Sequence, residues 1–366
     1  IEKLGINMKE EHKELLCLLK KAIATEDNGE PITITDWGNV YRNATKQSVA
    51  AIIFDLLERK GGNVVLPKRL MVEWLGQSLF QKSIYEQYVQ AISKLASFYA
   101  TQHIQMLLLK GYGLSLNYPK PELRNVGDID IYLFGEKEFG DNMVEREPNI
   151  PVNRTYHKHP NFSYEGAAVE NHGKFFDNEK HKSNGSFELR LKELLDEDGR
   201  NLIQSPISNC FLPSPTFNAL FLLRHAGEHF ATNEISLRHV LDLGFFFERF
   251  HNEIDWNYVL SVYNEEGIKR FYDSIATICI RDLGFNEVSF NGYTHSYELA
   301  DKVLDDIFED KQALPMSTSG IAGIKKIRYG IGKSLRWWNN RWKYRMVYNE
   351  NLLESFLWLS INRIKH

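Results

Sequence analysis

Cysteine is scarce in this chain of 366 residues: Cys17, Cys210 and Cys279 are the only three. They are widely spaced and form no CxxC pair, which argues against a disulfide framework and against a structural zinc site built on thiolates. They read as reduced core residues of a cytoplasmic protein. No apolar run approaches the roughly 20 residues needed to cross a bilayer, and the first residues are charged and helix-like rather than an apolar leader. There is no internal repeat and no low-complexity stretch. Strong charge of one sign is missing too, since 44 Lys and Arg stand against 48 Asp and Glu for a formal net charge of -4. Such a balance gives no global attraction to nucleic acid, so any partner of that kind must be met by a local patch. What is present is an ordinary globular composition, over a length that buries a large core and suits two or three domains.

Hydrophobic periodicity divides the chain into a helical beginning, a strand-rich middle and a helical end. Lys9 to Ala24 carries Leu15, Leu16, Leu18 and Leu19 at helical spacing, and Lys46 to Glu58 repeats the pattern. Asp36 with Trp37, and Thr45, are the candidate caps. A long amphipathic helix from about Glu73 to Tyr99 feeds an apolar strand, Ile104 to Leu109. The strand-rich part runs to roughly Leu191 and ends in the alternating Ser186 to Arg190. After a Pro-bearing connector from Ser205 to Pro215, helices are expected over Phe217–Phe230, Leu237–Phe250 and Ile268–Asp282. The expected division is residues 1–103, 104–204 and 205–366.

The most informative stretch is Leu107 to Gly113, followed after a polar turn by Arg124-Asn-Val-Gly-Asp-Ile-Asp-Ile-Tyr132. Side chains alternate along a strand, so Asp128 and Asp130 are expected on one face and Ile129, Ile131 and Leu133 on the other. Two neighbouring buried carboxylates repel unless a cation or proton sits between them, and a divalent metal is the economical explanation.

Leu109-Lys110-Gly111, Tyr118-Pro119, Arg124, Gly127-Asp128-Ile129-Asp130 and the later Val169-Glu170-Asn171-His172 together resemble the DNA polymerase β-like nucleotidyltransferase superfamily. Within it the wording is most similar to an uncharacterised bacterial nucleotidyltransferase family that replaces the usual Gly-Ser turn with Leu-Lys-Gly. The chain departs from the superfamily pattern in having no Ser after Gly111, in a longer gap to Asp128, and in an irregular segment with Pro148, Pro151 and Pro160 before Glu170. The resemblance implies an α+β fold: a mixed-sheet polymerase β-like core between an N-terminal helical segment and a C-terminal helical lobe. It implies transfer of an NMP group from an NTP to a hydroxyl acceptor with release of pyrophosphate. Asp128, Asp130 and Glu170 would hold Mg²⁺ (or Mn²⁺), with Glu165, Asp177 and Glu188 the competitors of Glu170. The backbone of Gly111, Tyr112 and Gly113 would cradle phosphates of the NTP, and Lys110 and Arg124 would clamp the triphosphate. The bland alternatives are that Lys110 is a solvated strand end and Arg124 a counter-ion for Asp128. The acceptor stays open among a small molecule, a protein and an RNA end. A non-catalytic nucleotide- or RNA-binding protein on the same fold, and a tRNA-modifying toxin, are the competing functions.

Two further features stand outside that motif. On the later helices, His225 and His229 share a face, as do Arg238 and Asp242. With His172 these are candidate acceptor or nucleotide contacts, weighed against helix-pairing hydrogen bonds and against a zinc site on His225, His229 and Asp242. From Lys325 to Arg345 eight basic residues are interleaved with Tyr329, Trp337, Trp338, Trp342 and Tyr344 and no acidic residue intervenes. Such a segment suits RNA or an anionic surface, or a helix whose tryptophans simply pack on the body.

Overall fold

The computed structural model describes residues 8–24, 32–61, 64–148, 150–154, 161–177, 181–197, 202–232, 235–309, 324–351 and 353–355. Four helices come first: α1 (Glu10–Ile23), α2 (Trp37–Lys46), α3 (Ala50–Lys60) and α4 (Lys68–Thr101). Asp36 caps α2 by accepting from the Asn39 amide at 3.1 Å, as a short polar residue at that position should. The apolar pattern expected to begin at Lys46 is broken by Ser48, whose φ of 57° ends α2, and resumes at Ala50. Thr45 lies inside α2 instead of capping the next helix.

Six short strands form one mixed sheet: β1 (Met106–Leu108), β2 (Ile129–Tyr132), β3 (Asn161–Tyr164), β4 (Ala167–His172), β5 (Ile203–Gln204) and β6 (Cys210–Leu212). Their order is β3-β4-β2-β1-β6-β5, with β2 parallel to β4, β1 parallel to β6 and the other neighbours antiparallel. One face packs on the second half of α4. Met106, Leu108, Ile129, Ile131, Val169 and Phe162 meet Tyr88, Ile92, Leu95 and Tyr99 there. The one-turn helix α5 (Tyr112–Ser115) follows β1, and on the α4 side of the sheet lies α6 (Lys137–Glu145), whose Asp141 accepts from the Asn171 amide at 2.8 Å.

The other face looks toward a helical lobe: α8 (Pro215–Thr232), α9 (Leu237–Phe250), α10 (Trp256–Glu265), α11 (Lys269–Arg281), α12 (Tyr297–Phe308) and α13 (Ile324–Val347). Leu107 and Leu109, which alternate with Met106 and Leu108, belong to the core of this lobe. That core also takes in Leu15, Ile53 and Trp74, so the first helices and the last share one apolar interior. Gln47 makes the junction polar as well, donating to the Ile307 carbonyl and accepting from the Leu237 amide. Among the described residues, no helix is long and apolar enough to cross a membrane.

Two local expectations differ from the structure. Ser186 to Arg190 lies within a helix, α7 (Ser183–Glu197), where Phe187 and Leu191 are fully buried one turn apart. The connector between Ser205 and Pro215 contains β6, which extends the sheet beside β1.

The basic-aromatic segment is mostly α13. Lys343 is buried with its Nζ 2.5 Å from Asp306, Tyr344 is buried, and Lys302 stands 4.2 Å over the Trp342 ring. Trp338 is exposed and carries the Arg341 guanidinium 4.5 Å from its centroid. The side chains of Lys325, Lys326, Arg328, Tyr329, Lys333 and Arg336 lie outside those described.

Candidate metal and nucleotide site

Strand alternation and register build the site. Because Ile129 and Ile131 face α4, Asp130 faces the lobe. Because Val169 faces α4, Glu170 and His172 face the lobe too. The parallel pairing sets Asp130 opposite Glu170 and Tyr132 opposite His172. Ligand atoms of Asp130, Glu170 and His172 consequently lie within 4.8 Å of one another, the one such group among the described residues. Asp130 Oδ1 is 2.8 Å from His172 Nε2, which is 3.7 Å from Glu170 Oε2.

Lys110 reaches into the same group from the end of β1, with its Nζ 2.8 Å from Asp130 Oδ1 and 3.4 Å from His225 Nε2 on α8. Burial alone would raise the proton affinity of Asp130. The ammonium of Lys110 and the imidazole of His172 reverse this and hold the carboxyl well below the usual carboxylate range. A carboxylate kept ionised while almost fully buried is a cation site, here filled by an ammonium. Two carboxylates and an imidazole are also a donor set that fits a divalent ion, the imidazole suiting Mn²⁺ better than Mg²⁺.

Asp128 sits one residue before β2, exposed and outside the group of three. Partial desolvation and the charge of Asp130 raise its proton affinity, against the pull of Lys110. Its backbone is held by Tyr88 Oη, which donates to the Asp128 carbonyl at 3.1 Å. Two of the three competing carboxylates go elsewhere, Glu165 pairing with Lys94 at 2.7 Å and Glu188 accepting from the Phe175 and Phe176 amides, and Asp177 is not in the group of three.

The turn after β1 is packed more tightly than an open phosphate loop. Gly111 has a φ of 55°, and a Cβ there would lie 2.1 Å from Tyr88 Oη. At Gly113 a Cβ would lie 3.0 Å from Leu212. Gly111 is explained by its positive φ and close packing, and Gly113 by close packing, before any ligand is considered. The Gly113 amide donates to the Lys110 carbonyl at 3.1 Å, so one of the three expected phosphate donors has a protein partner.

Arg124 is buried, and its carboxylate partner is Asp242 rather than Asp128. It grips Asp242 of α9 through Nε at 2.7 Å and Nη2 at 2.9 Å, while Tyr118 donates to the same carboxylate at 2.7 Å. Burial opposes ionisation of Asp242, but Arg124 outweighs it and lowers the carboxyl below its ordinary value. Arg238 stands 4.0 Å from Asp242, half-buried.

From Lys110 a row of half-buried side chains follows the lobe side of the cleft. The ring of His225 is 4.6 Å from that of His229, which is 6.0 Å from that of His239. Burial and the charge of Arg238 push His239 down to about 3, so it is neutral at physiological pH. His239 and Tyr88 are the site-lining or site-supporting residues that the sequence reading passed over. His239 stood inside the Arg238 to Asp242 run, while nothing local marked Tyr88. His225, His229 and Asp242 do not converge as a metal group, and Asp242 is spent on Arg124.

No curated protein and no solved structure matches the chain. The profile of one family does, over residues 33–283, a span that includes α2 through α11 and so the whole sheet and the cleft beside it. On that match the chain belongs to the family described as uncharacterised nucleotidyltransferase.

Proposed function

We propose that the protein is a metal-dependent nucleotidyltransferase acting on an NTP and a hydroxyl acceptor, with a polymerase β-like core in residues 104–204. The observation that carries this reading is the in-register pairing of β2 and β4, which sets Asp130, Glu170 and His172 together beside Lys110. In this reading Asp130 and Glu170 hold a divalent ion, with Asp128 at the solvent side as a further carboxylate. His172 orients Asp130 or completes the ligand set. Bound there, Mg²⁺ or Mn²⁺ would neutralise triphosphate charge and lower the pKa of the acceptor hydroxyl. The acceptor oxygen forms a bond to the α-phosphorus, the bond to the α–β bridging oxygen breaks, and pyrophosphate leaves.

Lys110 is the residue best placed to meet the triphosphate, because it stands between Asp130 and His225 within hydrogen-bonding distance of each. The amides of Gly111, Tyr112 and Gly113 contribute less in this reading, since that of Gly113 is already bonded and the turn is tightly packed. Arg124 acts at one remove, by fixing α9 and with it Arg238 beside the cleft. His225, His229 and Arg238 line the side from which a nucleotide or acceptor would approach.

A binding protein without turnover would be favoured by Glu170 turned away and Arg124 in the metal position. Glu170 instead joins Asp130, and Arg124 is committed to Asp242. The test is incubation with each α-labelled NTP and Mg²⁺ or Mn²⁺, offering RNA, protein and small-molecule pools as acceptors, beside Asp130→Ala. Label transferred by the wild type and not by the variant supports the reading and shows the acceptor class. NTP binding without transfer to any pool would favour the binding protein, and no NTP binding would overturn both.

A further inference from the structure

The first half of α4 presents an apolar stripe to solvent, although its opposite face buries Trp74 in the core. Val72, Leu79 and Phe80 are 70%, 58% and 68% exposed, and Met71 and Leu75 lie beside them. Arg69, Val72, Gly76, Leu79, Ser83 and Glu86, all exposed, follow the alternating 3–4 spacing of a coiled-coil seam. Gly76 sits at the centre of this seam, where it costs the helix about 1 kcal/mol relative to Ala. Nothing among the described residues explains it, since a Cβ there would meet none of their atoms within 4 Å.

We propose that this stripe is a homodimer interface, in which α4 packs antiparallel against α4 of a second copy across a twofold axis passing between residues 77 and 78. That axis places Gly76 opposite Leu79 of the other copy, Val72 opposite Ser83 and Arg69 opposite Glu86, each pair made twice by symmetry. The glycine receives a leucine, and the charges at both ends of the seam are complementary. A parallel pairing of the same seam would set Arg69 against Arg69 and Glu86 against Glu86, which selects the antiparallel arrangement. The seam is about 27 Å long at 1.5 Å per residue. A contact of that length falls below the roughly 800 Å² per partner of a standard interface, so the dimer is reversible. Because Trp74, Tyr85 and Tyr88 point from the opposite side of α4, pairing leaves the Asp130 cleft uncovered.

Sedimentation equilibrium over about 1 µM to 1 mM should show the wild type passing from one chain mass to two. Arg69→Glu and Glu86→Arg, each alone, should weaken association at least about tenfold through like charges in the seam. The combined Arg69→Glu/Glu86→Arg variant should recover it, and Leu79→Glu should abolish it. All three substitutions are at solvent-exposed positions, and circular dichroism reports whether the fold is kept. A chain that stays monomeric at every concentration would overturn the proposal and leave the stripe to a different partner. A dimer indifferent to either charge reversal would overturn it equally.

Discussion

Lys110→Met separates the two cations that compete for Asp130. In the structure the Lys110 ammonium lies 2.8 Å from Asp130 Oδ1, with 16% and 8% of the two side chains exposed. At that distance unit charges attract by about 6 kcal/mol for an effective dielectric constant of ~20. Most of this is offset when the ammonium is resolvated on leaving, and the net worth of such a charge-assisted hydrogen bond is about 1–3 kcal/mol. A divalent ion at Asp130, Glu170 and His172 has to displace that ammonium. Methionine keeps most of the length of the side chain and removes its charge, so Mn²⁺ affinity of the free protein should rise about 5- to 150-fold. Nucleotidyl transfer should fall in the same variant, by about 10²-fold, because the triphosphate loses its nearest cation. Mn²⁺ titration followed by electron paramagnetic resonance measures the first effect without any turnover, and Asp130→Asn should abolish it in either background. Unchanged or weaker Mn²⁺ binding in Lys110→Met would refute the idea that lysine and metal share one position.

The other expectations concern the ligand set, the glycine turn and the buried pair behind it. Glu170→Gln should reduce Mn²⁺ binding and transfer together while leaving the melting temperature nearly unchanged, since Glu170 is only half-buried; an unaltered Mn²⁺ titration would remove it from the site. Gly111→Ala should destabilise by about 2–3 kcal/mol through the clash with Tyr88 Oη and the positive φ, and Tyr88→Phe in the same chain should recover part of that loss in a denaturant melt. Asp242→Ala should cost about 3–5 kcal/mol by stranding the buried Arg124. The lowered pKa of Asp242 means that its contribution is fully present above about 3.9, the unfolded aspartate value, and is lost as pH falls through the lower folded value. Acid titration of the melting temperature should therefore be shallower below pH ~4 in Asp242→Asn than in the wild type. His239 works in the same direction over a higher window. Its folded value of about 3 makes the unfolded chain bind its proton first, so stability declines as pH falls from ~6.5, and replacing His239 by Gln should flatten that limb.

Where local pattern and burial agree, the sequence was enough. The alternation around Asp130 is a true strand pattern because Ile129 and Ile131 are both fully buried against α4, and the helix from Leu237 to Phe250 has the expected bounds. Ser186 to Arg190 shows how far alternation can mislead over five residues. Phe187 and Leu191 are spaced for a helix as well, and burial in the lobe decides between the two periods. The strand Cys210–Leu212 has three residues between Pro206 and Pro213, too few to display any period, and only its pairing with β1 makes it a strand.

Arg124 marks the deeper limit. Read locally, an arginine four residues before Asp128 belongs to the carboxylates beside it. Its partner is Asp242, 118 residues away, and no spacing rule connects the two. The choice follows from burial: a guanidinium removed from water needs a bidentate acceptor, and Asp242 supplies both oxygens while Tyr118 bonds to one of them. Asp128 stays exposed and has no comparable need. Together with the Lys110 to His225 contact, this pair joins the segment between β1 and β2 to α8 and α9. The histidine and arginine pattern of those helices is thereby set facing the carboxylates of the sheet. The helical lobe is thus built into the cleft, and changes in Asp242 should reach the chemistry through the position of Arg238 without either residue touching the metal.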